Sequence, residues 1–228
     1  MAPELVVALD VPALEEARRL VALLRPTVRW FKVGMELFTA AGPAAVEAVR
    51  AEGGAVLLDL KLHDIPHTVA GAVRSAARLE AEMLTLHLAG GAAMIRAAVD
   101  AARDAGTGLR LLGITRLTSE PATSSEFTWS VAETAVGVAD LGVDGVVASV
   151  HEAAAVRAAC PPGFLIVAPG IRPAGATTDD QARVATPAEA AHAGCDFIVV
   201  GRPIIRAFDP LHAAVAIMRE MAALATPV

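Results

Sequence analysis

Leu57-Leu58-Asp59-Leu60-Lys61-Leu62-His63-Asp64-Ile65-Pro66-His67-Thr68 begins as an apolar run of strand type and ends in a turn, yet it carries three charges. Side chains alternate between the faces of a strand, so Asp59 and Lys61 point one way while Leu58, Leu60 and Leu62 point the other. One face packs on helices and the other presents a carboxylate beside an ammonium. Asp64 follows where Pro66 ends regular pairing. A structural ion pair would account for Asp59 and Lys61 by themselves, although buried charges cost desolvation energy even when paired. A second carboxylate immediately downstream turns the reading towards chemistry.

Runs of this kind recur along the whole chain, at residues 5–10, 30–34, 56–62, 83–87, 110–115, 145–150, 164–170 and 197–201. Stretches with helical periodicity separate most of them, as at 13–24, 44–52, 69–79, 92–105, 130–141 and 186–193. Strand and helix alternating eight times, with no composition break, predict an α/β fold: a (β/α)8 TIM barrel forming a single domain over residues 1–228. A doubly wound open sheet is the alternative, disfavoured by the even spacing and by the lack of Gly-x-Gly-x-x-Gly after the first strand.

Barrels of this type work at the C-terminal ends of their strands. Nearly every strand here delivers something polar to that mouth: Asp10, Lys32, Asp59 with Lys61, His87, Thr118, Ser149, Arg172 and Arg202. Pro169-Gly170-Ile171-Arg172 and Val200-Gly201-Arg202-Pro203 follow the seventh and eighth runs, where barrels often hold phosphate. Glycine lets the backbone approach an anion, a helix start offers free N–H groups, and arginine adds a bidentate cation. Arginines that merely cap loops in solvent are the plainer alternative. The small-residue stretch 173–181 suits a lid. The polar loop 119–128 reads as a long connection.

A net charge of −6 argues against nucleic acid or an anionic membrane as partner. It also requires that any anionic substrate be attracted by a few local cations and amides. No apolar run approaches the roughly 20 residues that span a bilayer, and the first residues lack the pattern of a signal peptide, so a cytoplasmic protein is expected. Cys160 and Cys195 read as small core residues. His63 and His67 lie four apart, but Pro66 interrupts the helical geometry of a metal pair and no third ligand is near, so no metal is expected. His87 suits the core as well as it suits a hydrogen bond to the Asp/Lys cluster.

With Asp59-x-Lys61-x-x-Asp64-Ile65-Pro66 in place, the chain closely resembles the orotidine 5′-phosphate decarboxylases. The match is collinear over essentially its whole length. It includes Ala8-Leu9-Asp10, Phe31-Lys32-Val33-Gly34-Met35-Glu36-Leu37-Phe38, Leu117-Thr118-Ser119 and Asp144-Gly145-Val146-Val147-Ala148-Ser149-Val150-His151-Glu152. It continues through Pro169-Gly170-Ile171-Arg172, Asp180-Gln181-Ala182-Arg183-Val184 and Val199-Val200-Gly201-Arg202. The resemblance implies decarboxylation of orotidine 5′-monophosphate (OMP) to UMP, the last step of de novo pyrimidine nucleotide synthesis, with no cofactor. Lys32, Asp59, Lys61 and Asp64 would form an alternating charge array, with Lys61 donating a proton to C6. Asp64, Ile65 and Thr68 would reach the partner's active site in a homodimer. Asp10 and Lys32 would bind ribose hydroxyls, and Thr118 and the backbone near Ser149 would meet ribose or base. Arg202, the Gly201 amide and Arg172 would hold the 5′-phosphate, with Gln181 bridging phosphate and base.

Losing CO2 from C6 leaves an electron pair in the ring plane, where no attached group delocalises it well. Without an electron sink, preorganised charge must stabilise it, and an ammonium such as Lys61 can do so. Metal-dependent decarboxylases or aldolases of the same barrel superfamily want an acidic ligand where Lys32 stands. A Schiff-base lysine would suffer from flanking carboxylates, which favour the ammonium form. A non-catalytic nucleotide-binding barrel would have no need of the charge array.

Overall fold

Runs of Val, Leu, Ile and Phe with little polar alternation suit strands that are covered on both faces, as in parallel sheets. The computed structural model, which describes residues 2–115, 125–173 and 184–222, contains eight: β1 (Glu4–Ala8), β2 (Trp30–Gly34), β3 (Ala55–Leu62), β4 (Met83–His87), β5 (Arg110–Ile114), β6 (Gly145–Val147), β7 (Leu165–Ala168) and β8 (Phe197–Val200). They pair in parallel in sequence order, and β8 returns to β1 with Val6 beside Val199, closing the barrel. The expected (β/α)8 architecture is present.

The outer faces of the strands bury Val7, Phe31, Val33, Leu58, Leu84 and Ile198 against the helices. The inner faces meet in a separate cluster of Val6, Trp30, Ala55, Leu57, Met83, Leu112, Val167 and Phe197. Trp30 closes the floor. Its ring meets Phe197 edge-on at 5.2 Å, its Nε1 donates to Glu4 Oε2 at 2.8 Å, and the guanidinium groups of Arg29 and Arg110 each lie 5.5 Å from its centroid. The barrel interior is therefore packed at the bottom, where the Trp30 ring closes it.

The helices are α1 (Leu14–Leu24), α2 (Met35–Ala41), α3 (Pro43–Ala51), α4 (Pro66–Arg78), α5 (Gly91–Ala105), α6 (Ser125–Ala139), α7 (Val150–Ala159), α8 (Pro187–His192), α9 (Arg202–Ile205) and α10 (Pro210–Ala222). Several bounds differ from those expected. Pro66 does not interrupt a helix but opens α4 at its first position, where the missing N–H costs nothing, so that helix starts at 66 and not 69. Residues 125–128, expected in a loop, belong to α6. The sixth strand stops at Val147 because Ser149 already caps α7: Ser149 N donates to Glu152 Oε2 at 3.0 Å, and its hydroxyl accepts from His151 N. Arg202 opens only the four-residue α9, too short to lend a useful dipole. Among the described residues, no helix is long and apolar enough to cross a membrane.

Candidate active site

The strand alternation that fills the floor with Trp30 and Leu57 brings Lys32 and Asp59 inward one layer higher. At that level β3 departs from regular pairing with β4. Leu58 faces Leu84 and Leu62 faces Leu86, so four steps along β3 match two along β4. The surplus residues bulge around Asp59-Leu60-Lys61, and Lys61 takes a left-handed backbone with φ 51°. A bulge of this kind re-aims side chains, and here it points an ammonium back at the carboxylate two residues before it.

Lys61 Nζ lies 2.8 Å from Asp59 Oδ2, and Lys32 Nζ lies 3.7 Å from the same oxygen and 2.8 Å from Asp10 Oδ1. The four groups form an alternating row, Asp10–Lys32–Asp59–Lys61, supplied by three neighbouring strands. Gly34 makes room for it: a Cβ there would stand 2.7 Å from Lys32 Nζ. Burial by itself would raise the Asp59 carboxyl pKa. The charges of Lys32 and Lys61, with hydrogen bonds from Lys61 and Thr85, outweigh burial and hold it below the usual carboxylate range.

The row forms one wall of a cavity of about 140 Å³ at the C-terminal mouth, lined on that side by Lys32, Asp59, Lys61 and Thr85. The opposite wall is apolar, made by Ile114, Val147, Val167, Pro169 and Val199 from β5 to β8 and the turn after β7. Such a space suits a flat ring whose polar edge turns towards β2–β4.

The other sequence-predicted residues are distributed unevenly. Asp64 and Ile65 lie in the β3–α4 turn and Thr68 in the first turn of α4. All three are exposed, Ile65 at 65%, and Asp64 accepts a hydrogen bond from the Ile65 amide instead of facing its own chain's cavity. Ser149 stands buried at the head of α7 with its amide and hydroxyl engaged in the helix cap. Arg172 is 6% exposed, and its Nη1 donates to Ile171 O at 3.0 Å, so it is no solvent-facing cap. Its backbone pairs with Ala185, bringing together residues on either side of the 173–181 segment expected to act as a lid. Arg202 is half-buried just after β8, next to Gly201, whose Cα faces Ala8 and Asp10. Thr118 and Gln181 lie outside the described residues.

His63 turns to His87, with ring centroids 5.5 Å apart, and not to His67. Among the described residues, no group of three or more His, Cys, Asp or Glu is arranged to hold a metal ion. Cys160 and Cys195 carry free thiols, and burial pushes that of Cys195 up to about 12, making it inert.

Thr85 was not anticipated. It sits on β4 with 1% exposure, between Asp59 and Lys61. Its signal was available: a single hydroxyl in Met83-Leu84-Thr85-Leu86-His87, on the same face as His87.

The chain matches, over residues 3–217, a family profile described as orotidine 5′-phosphate decarboxylase / HUMPS family. It is 53% identical over 220 residues to a protein named orotidine 5′-phosphate decarboxylase from Anaeromyxobacter sp. (strain K), covering 92% of this chain and 94% of that one. It is 48% identical over 231 residues to the protein of that name from Moorella thermoacetica, covering 96% and 92%. The crystal structure of orotidine 5′-phosphate decarboxylase from Lactobacillus acidophilus superposes with a TM-score of 0.80 at 34% identity, covering 97% of this chain and 99% of that one. Sequence and fold agree along nearly the whole length, and the chain belongs to the orotidine 5′-phosphate decarboxylase / HUMPS family.

Proposed function

We propose that the protein is a carboxy-lyase that converts OMP to UMP and CO2 without a cofactor. The observation that carries this reading is the Asp10–Lys32–Asp59–Lys61 row on one wall of the mouth cavity, in a chain of this family. The pyrimidine lies against the apolar wall with its C6 carboxylate turned towards Asp59 and Lys61. Asp59, held ionised, repels the substrate carboxylate, and the repulsion eases as CO2 departs. The C6–carboxyl bond breaks, its electron pair stays on C6, and the Lys61 ammonium stabilises the developing charge and then gives C6 a proton. Solvent reprotonates the Lys61 amine.

Asp10 and Lys32 hold the ribose hydroxyls. Arg202, the Gly201 amide and Arg172 hold the 5′-phosphate, whose binding energy orders the site around the reacting carbon. Thr118, Gln181 and the backbone near Ser149 complete the ribose and base contacts. Asp64, Ile65 and Thr68, exposed on one turn, enter the site of a second copy in a homodimer. The protein acts in the cytoplasm, on a free nucleotide, at the end of pyrimidine nucleotide synthesis.

A divalent-metal mechanism on a sugar phosphate fits the residues poorly. The β2 position where such a site needs an acid holds Lys32, whose ammonium would repel the ion. The deciding experiment follows OMP absorbance with purified protein in excess EDTA. Rapid conversion to UMP is expected. No conversion, with activity on a sugar phosphate restored by magnesium, would overturn the proposal.

A further inference from the structure

The reading of Asp59 and Lys61 as the reacting pair leaves open what holds them in place. Lys61 has a left-handed backbone that a non-glycine residue keeps only when its surroundings impose it. The bulge removes its amide from the regular β3–β4 ladder, and that amide donates to Thr85 Oγ1 at 2.9 Å. An amide can only donate, so the threonine oxygen accepts there and its own proton is free for another partner. That partner is Asp59 Oδ1, also at 2.9 Å. The other carboxylate oxygen, Oδ2, faces Lys61 Nζ and Lys32 Nζ. Both oxygens of Asp59 are thereby fixed, and the plane of the carboxylate cannot turn.

We infer that Thr85 is a positioning residue of the catalytic site, whose buried hydroxyl simultaneously fixes the Asp59 carboxylate and the left-handed backbone of Lys61. This rests on the decarboxylase reading and deepens it. A core threonine commonly satisfies its hydroxyl on a nearby carbonyl, whereas this one spends its donor on a carboxylate and its acceptor on the one strained residue of the cavity wall. Thr85 also lines the cavity beside both groups. Without the hydroxyl, the carboxylate is free to rotate and the Lys61 backbone to relax towards a regular strand, carrying its ammonium away from C6. Groups meant to act on a developing charge lose most of their effect when displaced by about an ångström.

The test compares Thr85→Val, which keeps the shape without the hydroxyl, and Thr85→Ser, which keeps the hydroxyl, with the wild-type protein on OMP. For the valine variant, kcat should fall about 10- to 100-fold while KM and UMP affinity stay within about threefold, because binding groups are untouched. The serine variant should recover kcat to within about fivefold of wild type. Should the valine protein not fold, Thr85→Cys, of similar size with only a weak donor, takes its place in the comparison. An inactive wild type overturns the decarboxylase reading and this inference with it. An active wild type with a valine variant of equal kcat overturns this inference alone, as does a serine variant no better than valine.

Discussion

Lys61 combines the charge, the strain and the position on which the proposed chemistry depends. Lys61→Ala should reduce kcat by at least about 10³-fold, since proton donation and charge stabilisation vanish together. UMP affinity, measured by calorimetry, should remain largely intact. Asp59 yields a second expectation through its lowered pKa. A carboxyl depressed in the folded state adds stability at every pH above its ordinary value of 3.8, and loses that contribution only as pH falls below 3.8 towards the folded value. The difference in melting temperature between wild type and Asp59→Asn should therefore stay constant from about pH 8 to 5 and close below about pH 4. Most of this row was legible in the sequence because strand alternation fixes which residues share a face. Asp59, and Lys32 at the neighbouring strand, follow from parity and the strand ends, whereas parity marks Lys61 for the same wall but the bulge sets its aim. Thr85 obeys the same parity, yet a lone threonine among leucines carries no charge to draw attention. The left-handed turn at Lys61 was not legible, because lysine has no preference for that conformation.

Among elements, β3 is set apart by its irregularity, and the bulge could not be read from an alternating pattern that stays consistent with an ordinary strand. Helix bounds were missed where one residue type serves two purposes. Pro66 looks like a terminator and is an opener; Ser149 looks like a strand end and is a cap. The eight strands themselves were plain, since buried parallel strands are unbroken apolar runs with little else to be. Trp30 is the element-scale determinant of the barrel floor, holding β1, β2, β5 and β8 through Glu4, Phe197 and Arg110. Trp30→Ala should cost about 3–5 kcal/mol. In a chain of this size that lowers the melting temperature by about 6–20 °C. Calorimetry checks this, while kcat at 25 °C should change little because the row one layer above keeps its own strands.

At the scale of the whole molecule, the exposed Asp64, Ile65 and Thr68 make sense if two copies complete each other's sites. The proposed exchange has a numerical signature. Lys61→Ala and Asp64→Ala proteins, each nearly inactive, should regain activity when mixed and re-equilibrated. In a mixed dimer one site carries both lesions and the other carries neither. Random pairing makes half the dimers mixed, so activity should reach about a quarter of wild type. A mixture no more active than its components would show that each site is built within one chain.

The closed floor also governs traffic. With Trp30 and its neighbours filling the base, the cavity of the described residues opens at the C-terminal ends of the strands. In the proposed reaction, nucleotide arrival, escape of CO2 and departure of UMP would share that doorway and take turns. A molecule that merely plugs the rim, touching none of the charged row, stops all three at once.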